Sequence, residues 1–530
     1  MAINIKITTG RYHWTTKGKI HVCGFIWNND EYTESFPFVG LTEDHSACFE
    51  EFRKWCSGLN GQYSIVVEKS AEVWLATSHI WSYPLFYTCN DHDIRISDNP
   101  DELNHDFSLS NQEVILHFLH FCATPAGTTL VQSISQLRPG EICRLTPDGY
   151  LPAHFSGTGE YEFREPASPE ELKALLYKVF SKYNRHFDNR KILLPLTSGY
   201  DSRLLACLLK DFGIRDVICA TWGRVSMPER KTAEKVARKL GFRYIFIPYD
   251  ENLIGDFEND PEITGFMHYT GHYSSMPYLQ DYFAIRKLIA DGVIDTHTIA
   301  FPGLSGDFIR GSHLFDELFS RNDAGIAAEI MRMFGTSYLR GKKERQKVLQ
   351  ALLHYHFNGM GHLPNILKFD LWDYTERQCK FIGNSSRVYH YFDIPDFTFL
   401  LDRELVRFFL SLPAVQRVGA VLYNETLEKL IFRQSGVDFD QKKGASTSRK
   451  FSAVKETIIG CAPNFLRRIY YPLDDDVYYR EITGKLMKSD KRMVFRDPLK
   501  SHFYNCYMTQ WYYQYVLFQQ KFHQKFITKT

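Results

Sequence analysis

The chain has 530 residues, too many for a single hydrophobic core, so two or three domains are expected. Hydrophobic residues make up 44% and charged residues 24%, as in ordinary globular proteins, and the formal net charge of +1 excludes the strongly basic footprint of a dedicated nucleic-acid binder. Eleven scattered cysteines with no Cys-x-x-Cys pair exclude a zinc ribbon or a disulfide scaffold, and no apolar run is long enough to span a bilayer. With no apolar signal core after Met1 either, a cytoplasmic protein with reduced thiols and no membrane contact is expected.

Residues up to about 160 read as a β-rich unit with turn signals every few residues. Gln62 to Val67 and Val73 to Thr77 have the form of a hairpin, and Pro84 to Thr88 and Arg95 to Ser97 are further short strands. A helix is expected from Asn111 to Phe121, and Arg138 to Leu145 reads as a turn and a strand. A polar linker over 153–167 closes the unit.

A helix then starts cleanly. Ser168 can cap it, Pro169 suits its first position, and Glu170 and Glu171 favour its positive end. Leu172, Leu175, Leu176, Val179 and Phe180 share one face. The apolar run Ile192 to Leu196 is a strand that breaks at Thr197-Ser-Gly199, and a helical pattern resumes from Asp201. Strand, small polar turn and helix can present N–H groups to an anion, with Asp201 holding Mg²⁺; the same residues also suit an ordinary turn capped by Asp or Ser. Asp216 to Thr221 is a second strand, Ser226 to Glu229 has capping-box form, and Tyr244 to Pro248 is a third strand. This alternation implies a parallel α/β sheet, whose ligands sit at the carboxyl ends of its strands. Thr298 to Phe301 leads into another strand-end loop, Pro302 to Gly311, and a basic, small-residue loop lies at Gln441 to Lys450. Trp511, Phe518, Phe522 and Phe526 suggest a packing helix at the C-terminal end.

Taken together, these stretches resemble the asparagine synthetase family over most of the chain. Thr197-Ser-Gly-Tyr-Asp-Ser202 resembles its pyrophosphate loop, usually Ser-Gly-Gly-x-Asp-Ser, and Thr221-Trp-Gly223 resembles the segment that packs on adenine. Ser305-Gly-Asp307 resembles the second phosphate and metal loop, Pro395 to Pro413 the Pro-Phe-x-Asp…Leu-Val…Leu-Pro stretch, and Lys442-Lys-Gly444 the late lysine loop. Thr129 to Gly140 resembles a segment of the first domain. The resemblance implies an α/β protein: a glutaminase-like αββα domain over 1–160, and an ATP-pyrophosphatase synthetase domain with a parallel sheet and a helical C-terminal part over 161–530. It implies carboxylate adenylation by ATP and Mg²⁺, then amide formation with an amine or ammonia. By the same resemblance, Leu196, Thr197, Ser198, Gly199, Ser202, Trp222 and Gly306 bind the nucleotide. Asp201 and Asp307 hold the metal, and Lys443, with Lys442 as its rival, joins Asp201 in catalysis. A homodimer is compatible with the sequence.

Three departures accompany the resemblance. Position 2 is Ala2, where the family's glutaminases carry a nucleophilic cysteine with a free α-amine, and Ser78-His79 replaces an Arg-Asp pair. An inactive glutaminase half is therefore expected, as in β-lactam synthetases and lasso-peptide cyclases. Arg310 stands where an acid is usual, and Ser198 replaces a glycine. A glutamine-hydrolysing enzyme with a misassigned start and a non-catalytic nucleotide-binding or scaffold protein are the alternatives. For the acceptor pocket the stretches Phe266 to Tyr278 and Gly383 to Tyr391 are candidates; His268, His272, His354, His356 and His390 form no metal pattern and are read as structural.

Overall fold

Side chains in the first half of the chain alternate strictly between two cores, and this alternation builds the N-terminal layers. The computed structural model describes residues 2–439 except 8–11, 29, 35–47, 91–92, 104–106, 156–162, 188, 256, 338 and 340, together with Ile482 and 503–527. Strands β1 (Ala2–Lys6), β7 (Phe86–Cys89), β8 (Asp93–Ser97) and β9 (Ser135–Gln136) form a four-stranded sheet in the order β1-β8-β7-β9. Strands β2 (Trp14–Lys17), β3 (Ile20–Asn28), β5 (Gly61–Glu68), β6 (Val73–Thr77), β10 (Glu141–Thr146) and β11 (Gly149–Phe155) form a larger one, with β4 (Glu31–Glu34) paired to β3. Ile65 and Val67 of β5 and Trp74 and Ala76 of β6 face helix α1 (Phe49–Gly58). Val66, Val73 and Leu75 face Tyr87, Ile94 and Ile96 of the smaller sheet. Helix α2 (Gln112–Phe121) covers the far side, where Phe118 and Leu119 meet Phe86. A one-residue shift would turn every such side chain to the wrong layer, so burial on both faces fixes the register.

The second half is built on a parallel sheet. Helix α3 (Pro169–Phe187) begins as the sequence indicates, with Ser168 Oγ accepting from Glu171 N at 3.1 Å. Strands β12 (Ile192–Pro195), β13 (Val217–Gly223), β14 (Arg243–Pro248) and β15 (Ile299–Ala300) are all parallel, in the order β14-β13-β12-β15. Both faces are covered, as a parallel sheet requires. Ile192, Leu194 and Cys219 join one core, and Leu193, Ile218 and Ala220 the other. Helices α4 (Tyr200–Asp211) and α5 (Glu229–Leu240) cross the first of these faces. The capping box at Ser226 is not formed: Pro228 is the N-cap in αR geometry, and no side chain caps α5. Its Gly241 stop is as expected, at φ 78°.

The molecule is thus a mixed α/β structure whose halves share packing. Phe25 and Trp27 of β3 belong to the same core as α3 and β12, and the Trp27 and Tyr183 rings lie 4.7 Å apart. Beside them Lys182 Nζ meets Asp402 at 3.2 Å, both essentially inaccessible. Among the described residues no single helix is long and apolar enough to cross a membrane.

Candidate functional site

At the carboxyl edge of the parallel sheet, β12 continues one residue beyond its last ladder pair. Leu196 N donates to Ala220 O at 2.8 Å, and the Thr221 hydroxyl donates to Leu196 O at 2.6 Å. The following turn is held by its own hydroxyls. Thr197 Oγ1 accepts from Gly199 N, and Ser202 Oγ accepts from Thr197 N, both at 3.1 Å. Gly199 is the N-cap of α4, and no side chain caps the helix. The simple reading of Asp201 as a helix cap is therefore not what the chain does.

Asp201 instead faces the second loop. Pro302 to Ser305 follows β15 and leads into a one-turn helix, α6 (Gly306–Arg310). A Cβ on Gly303 would stand 2.9 Å from Ser202 N, and one on Gly306 would stand 1.9 Å from Asp201 Cγ. Only hydrogen fits at either position, so the two glycines set how closely the loops approach. Neighbouring parallel strands thus bring Asp201, Gly306 and Asp307 to one place across about a hundred residues of sequence.

Arg310 pairs with the Asp307 carboxylate, and the Tyr423 hydroxyl donates to Asp201 Oδ1 at 3.0 Å. Burial pushes the Asp201 carboxyl up to about 6; the Arg310 charge and the Tyr423 hydrogen bond pull it down, and the Asp307 charge adds to the rise. Burial likewise lifts Tyr423 well above the usual phenol range, helped by Asp201. Two buried donors here, Ser305 Oγ and Arg310 Nε, have no hydrogen-bond partner among the described residues. Ser305 also holds a left-handed backbone, φ 67°.

This combination has a definite chemistry. Two carboxylates can hold a hydrated divalent cation that takes its other ligands from water and phosphate; Mg²⁺ is bound in this way, unlike metals caged by protein alone. Among the described residues no three His, Cys, Asp or Glu side chains gather as a metal cage. The unpartnered donors Ser305 and Arg310 suit an oxyanion beside the cation. Asp201, Asp307, Ser305 and Arg310 therefore fit Mg²⁺ together with a phosphate group.

Other expected residues fall nearby. Trp222 is the penultimate residue of β13, and its indole N–H donates to Asp281 Oδ1 at 2.9 Å; burial pushes Asp281 up to about 6. Ser198 contributes its carbonyl, which accepts from Arg203 Nη2 at 3.0 Å. The same guanidinium donates to Val437 O at 3.0 Å and Phe439 O at 2.8 Å, so Arg203 ties the turn to the chain that leads toward residue 440. Lys442, Lys443 and Gly444 lie outside the described residues. Sequence reasoning missed Arg203, Tyr423 and Asp281. Tyr423 is 222 positions from Asp201 and carries no motif, whereas Arg203, two residues after Asp201 and fully buried, is a charge that burial demands be paired.

The stretches suggested for an acceptor pocket pack against each other. Asn384 Nδ2 donates to Met276 O at 2.9 Å and Arg387 Nη1 to Thr270 O at 3.1 Å, so most of their residues form core. His390 does line a cavity, of about 370 Å³, where it meets Asp396 at 2.7 Å. Cys23 lines the same cavity, and burial holds its thiol well above the usual range. His268 pairs with Asp101, His272 with Arg387, and His356 with Glu376. No family model matches the chain, and no curated protein matches it.

Proposed function

We propose that the protein is an ATP-dependent, AMP-forming amide ligase. The observation that carries this reading is the meeting of Asp201, Gly306 and Asp307 at the ends of adjacent parallel strands, with Ser305 and Arg310 offering unpaired donors. In this reading β12 to β15 belong to an ATP-pyrophosphatase synthetase unit over 161–530. The helix–sheet–sheet–helix layering of 1–160 supports a glutaminase-like αββα unit. The synthetase unit supplies the chemistry. Buried, internal Cys23 has no free α-amine and a thiol held protonated, so it cannot stand in for an N-terminal nucleophile. Ammonia or an amine substrate is then the nitrogen source.

A carboxylate oxygen is a poor leaving group and AMP a good one. The substrate carboxylate displaces pyrophosphate from the α-phosphorus of ATP, and the amine then displaces AMP from the acyl-adenylate. Mg²⁺, when bound, neutralises charge on the departing pyrophosphate. Asp201 and Asp307 hold that cation. Ser305, Arg310 and the N-terminus of α4 bind phosphate oxygens, with Thr197, Ser198, Gly199 and Ser202 shaping the turn. Leu196 anchors the turn to the sheet, and Trp222, at the next strand end, packs on adenine. Lys443, four residues beyond Phe439, stabilises the transferring charge.

The test is ATP–pyrophosphate exchange with Mg²⁺ across a panel of carboxylates. Exchange with at least one acid is expected, with no glutamine hydrolysis. Absence of both exchange and ATP binding across the panel favours the non-catalytic alternative, and glutamine hydrolysis favours the glutamine-dependent one.

A further inference from the structure

A separate cavity lies where helix α2 meets helices of the second half, among groups for which the proposed ligase chemistry has no use. Its volume is about 160 Å³, and Phe121, Phe334, Trp372 and Phe381 wall it. The Phe334 and Trp372 rings stack at 5.3 Å, and Phe121 meets Trp372 edge-on at 5.1 Å. A dry apolar cavity of about this size takes up one benzene-sized ring.

Five polar side chains also line it, His117, Thr336, Glu376, Arg377 and Asn505, and His117 and Arg377 are the two that bear on a ligand. His117 is fully buried, and its Nδ1 lies 2.9 Å from Ala123 O. A carbonyl only accepts, so Nδ1 carries the hydrogen and Nε2 is left as a lone-pair acceptor. Nε2 is buried and has no partner among the described residues. Burial, with His356 and Lys380 nearby, keeps the ring neutral by driving its pKa well below the usual range. Arg377 is the second group. Its side chain is 28% exposed, it gives one hydrogen bond to Asp373 at 3.4 Å, and it lies 4.9 Å over the Phe334 ring. His117 therefore marks the inner end of the cavity and Arg377 the end open to solvent.

The segment carrying Arg377 is itself unusual. Helix α7 (Asn365–Trp372) continues as a π-helix over Asp373–Ile382, a form that is rare and recurs at functional sites. Its Glu376 also borders the cavity, but its charge is answered by Lys380 Nζ at 3.0 Å, Ala126 N at 3.3 Å and His356 Nδ1 at 3.5 Å. The acid therefore leaves His117 as the unanswered buried group and Arg377 as the cation facing the entrance.

We propose that this cavity binds a one-ring aromatic carboxylate bearing a hydroxyl or amino group at its far end. The hydroxyl or amine donates to His117 Nε2, the ring packs against the walls formed by Phe121, Trp372 and Phe381, and the carboxylate meets Arg377. Phe121, Phe334, Trp372 and Phe381 give a ring more apolar contact than water would gain there, with polar groups available at its ends. The site is independent of the ligase reading and shares no residue with it.

Calorimetric titration of the full chain tests this with 4-hydroxybenzoate, 4-methoxybenzoate and benzoate. The hydroxy acid is expected to bind about tenfold more tightly than the two acids that lack a donor. His117→Phe should erase that preference, and Arg377→Gln should weaken all three acids. Asp201→Asn should leave binding unchanged, which separates this cavity from any carboxylate site at the sheet edge. No binding of 4-hydroxybenzoate at roughly millimolar concentration overturns the proposal. Loss of binding in Asp201→Asn does so too. If His117→Phe fails to fold, the wild-type comparison decides, because equal binding of the hydroxy and methoxy acids also overturns it.

Discussion

Asp201 and Asp370 both neighbour the same short helix, α6, Asp201 against Gly306 and Asp370 through Arg417 and His313, and are treated in opposite ways. Asp370 is answered completely. Arg417 forks onto it, with Nη2 3.1 Å from Oδ1, and His313 Nε2 lies 2.8 Å away. All three side chains are 5% exposed or less. Burial works to raise the Asp370 pKa, but Arg417 and His313 outweigh it and hold the carboxyl below its usual range. Asp201 receives one phenol hydrogen bond, packs on Gly306 and is pushed up to about 6. The nearest cation, Arg310, is paired to Asp307 instead. A fold that can saturate one acid beside α6 has left the other unsatisfied. Folding gives no reason for that, whereas binding a cation does.

The largest effect that separates the two acids is on activity. Asp201→Asn keeps size and shape and removes the charge. If the adenylation reading holds, pyrophosphate exchange should fall by about 10³-fold or more, roughly 4 kcal/mol of transition-state stabilisation, with near-UV circular dichroism unchanged. Exchange at the wild-type rate would refute the assigned site.

The other acid should behave in reverse. Arg417→Leu strands the Asp370 charge in the interior, at a cost of about 3–5 kcal/mol. Denaturant titration should show that loss in the unfolding midpoint, while exchange per folded molecule stays near wild type. Replacing Asp370 and Arg417 together by a well-packed apolar pair should recover much of the stability, since the pair itself contributes little net. A double variant as unstable as the single one would mean that the pair, and not the stranded charge, supplies the stability.

Gly306→Ala tests the contact itself. Gly306 has a negative φ, so alanine adds no backbone strain, only a methyl group on top of the Asp201 carboxyl. Overpacking of this kind costs about 1–3 kcal/mol. Exchange should drop by about tenfold or more, because the acid must move to make room. Unchanged kinetics would mean that the loops can separate without consequence.

The sequence made the two halves of this comparison unequally legible. Asp201 follows an apolar run that breaks into small polar residues, and both the strand and the turn lie where that pattern puts them. The strands at Val73–Thr77 and Arg243–Pro248 were readable for the same reason: short β-branched or aromatic runs bounded by turn residues. β1, β2 and β4 were not, because Thr, Lys, Asn and Glu fill most of their exposed positions and hide the alternation. The capping box at Ser226 failed because Pro228 itself takes helical geometry one residue before α5. Tyr423, Asp370 and Arg417 were invisible for a different reason. Each reaches its partner only through packing of distant elements, and no local period records that. The π-helical turn after Trp372 was hidden likewise, since its residues have ordinary helical propensities.

The smallest effect is the most discriminating, because the two acids predict opposite signs. A free Asp titrates near 3.9. The folded-state pKa of Asp201 is raised to about 6, so its protonated form favours the folded state. That contribution is complete below about pH 4 and is lost as pH rises from there through 6. The folded-state pKa of Asp370 is lowered, so its contribution is present above about pH 4 and is lost as pH falls through the folded value. Asp201→Asn should therefore match wild type in thermal midpoint below about pH 4 and exceed it above about pH 6.5. The gain is expected near 1 kcal/mol, typical when a strained functional group is relaxed. Adding Mg²⁺ and ATP should narrow it, because they stabilise the wild type and bind the variant poorly. A midpoint difference that stays constant from acid to neutral pH would place Asp201 alongside Asp370 as an acid whose charge the fold already answers.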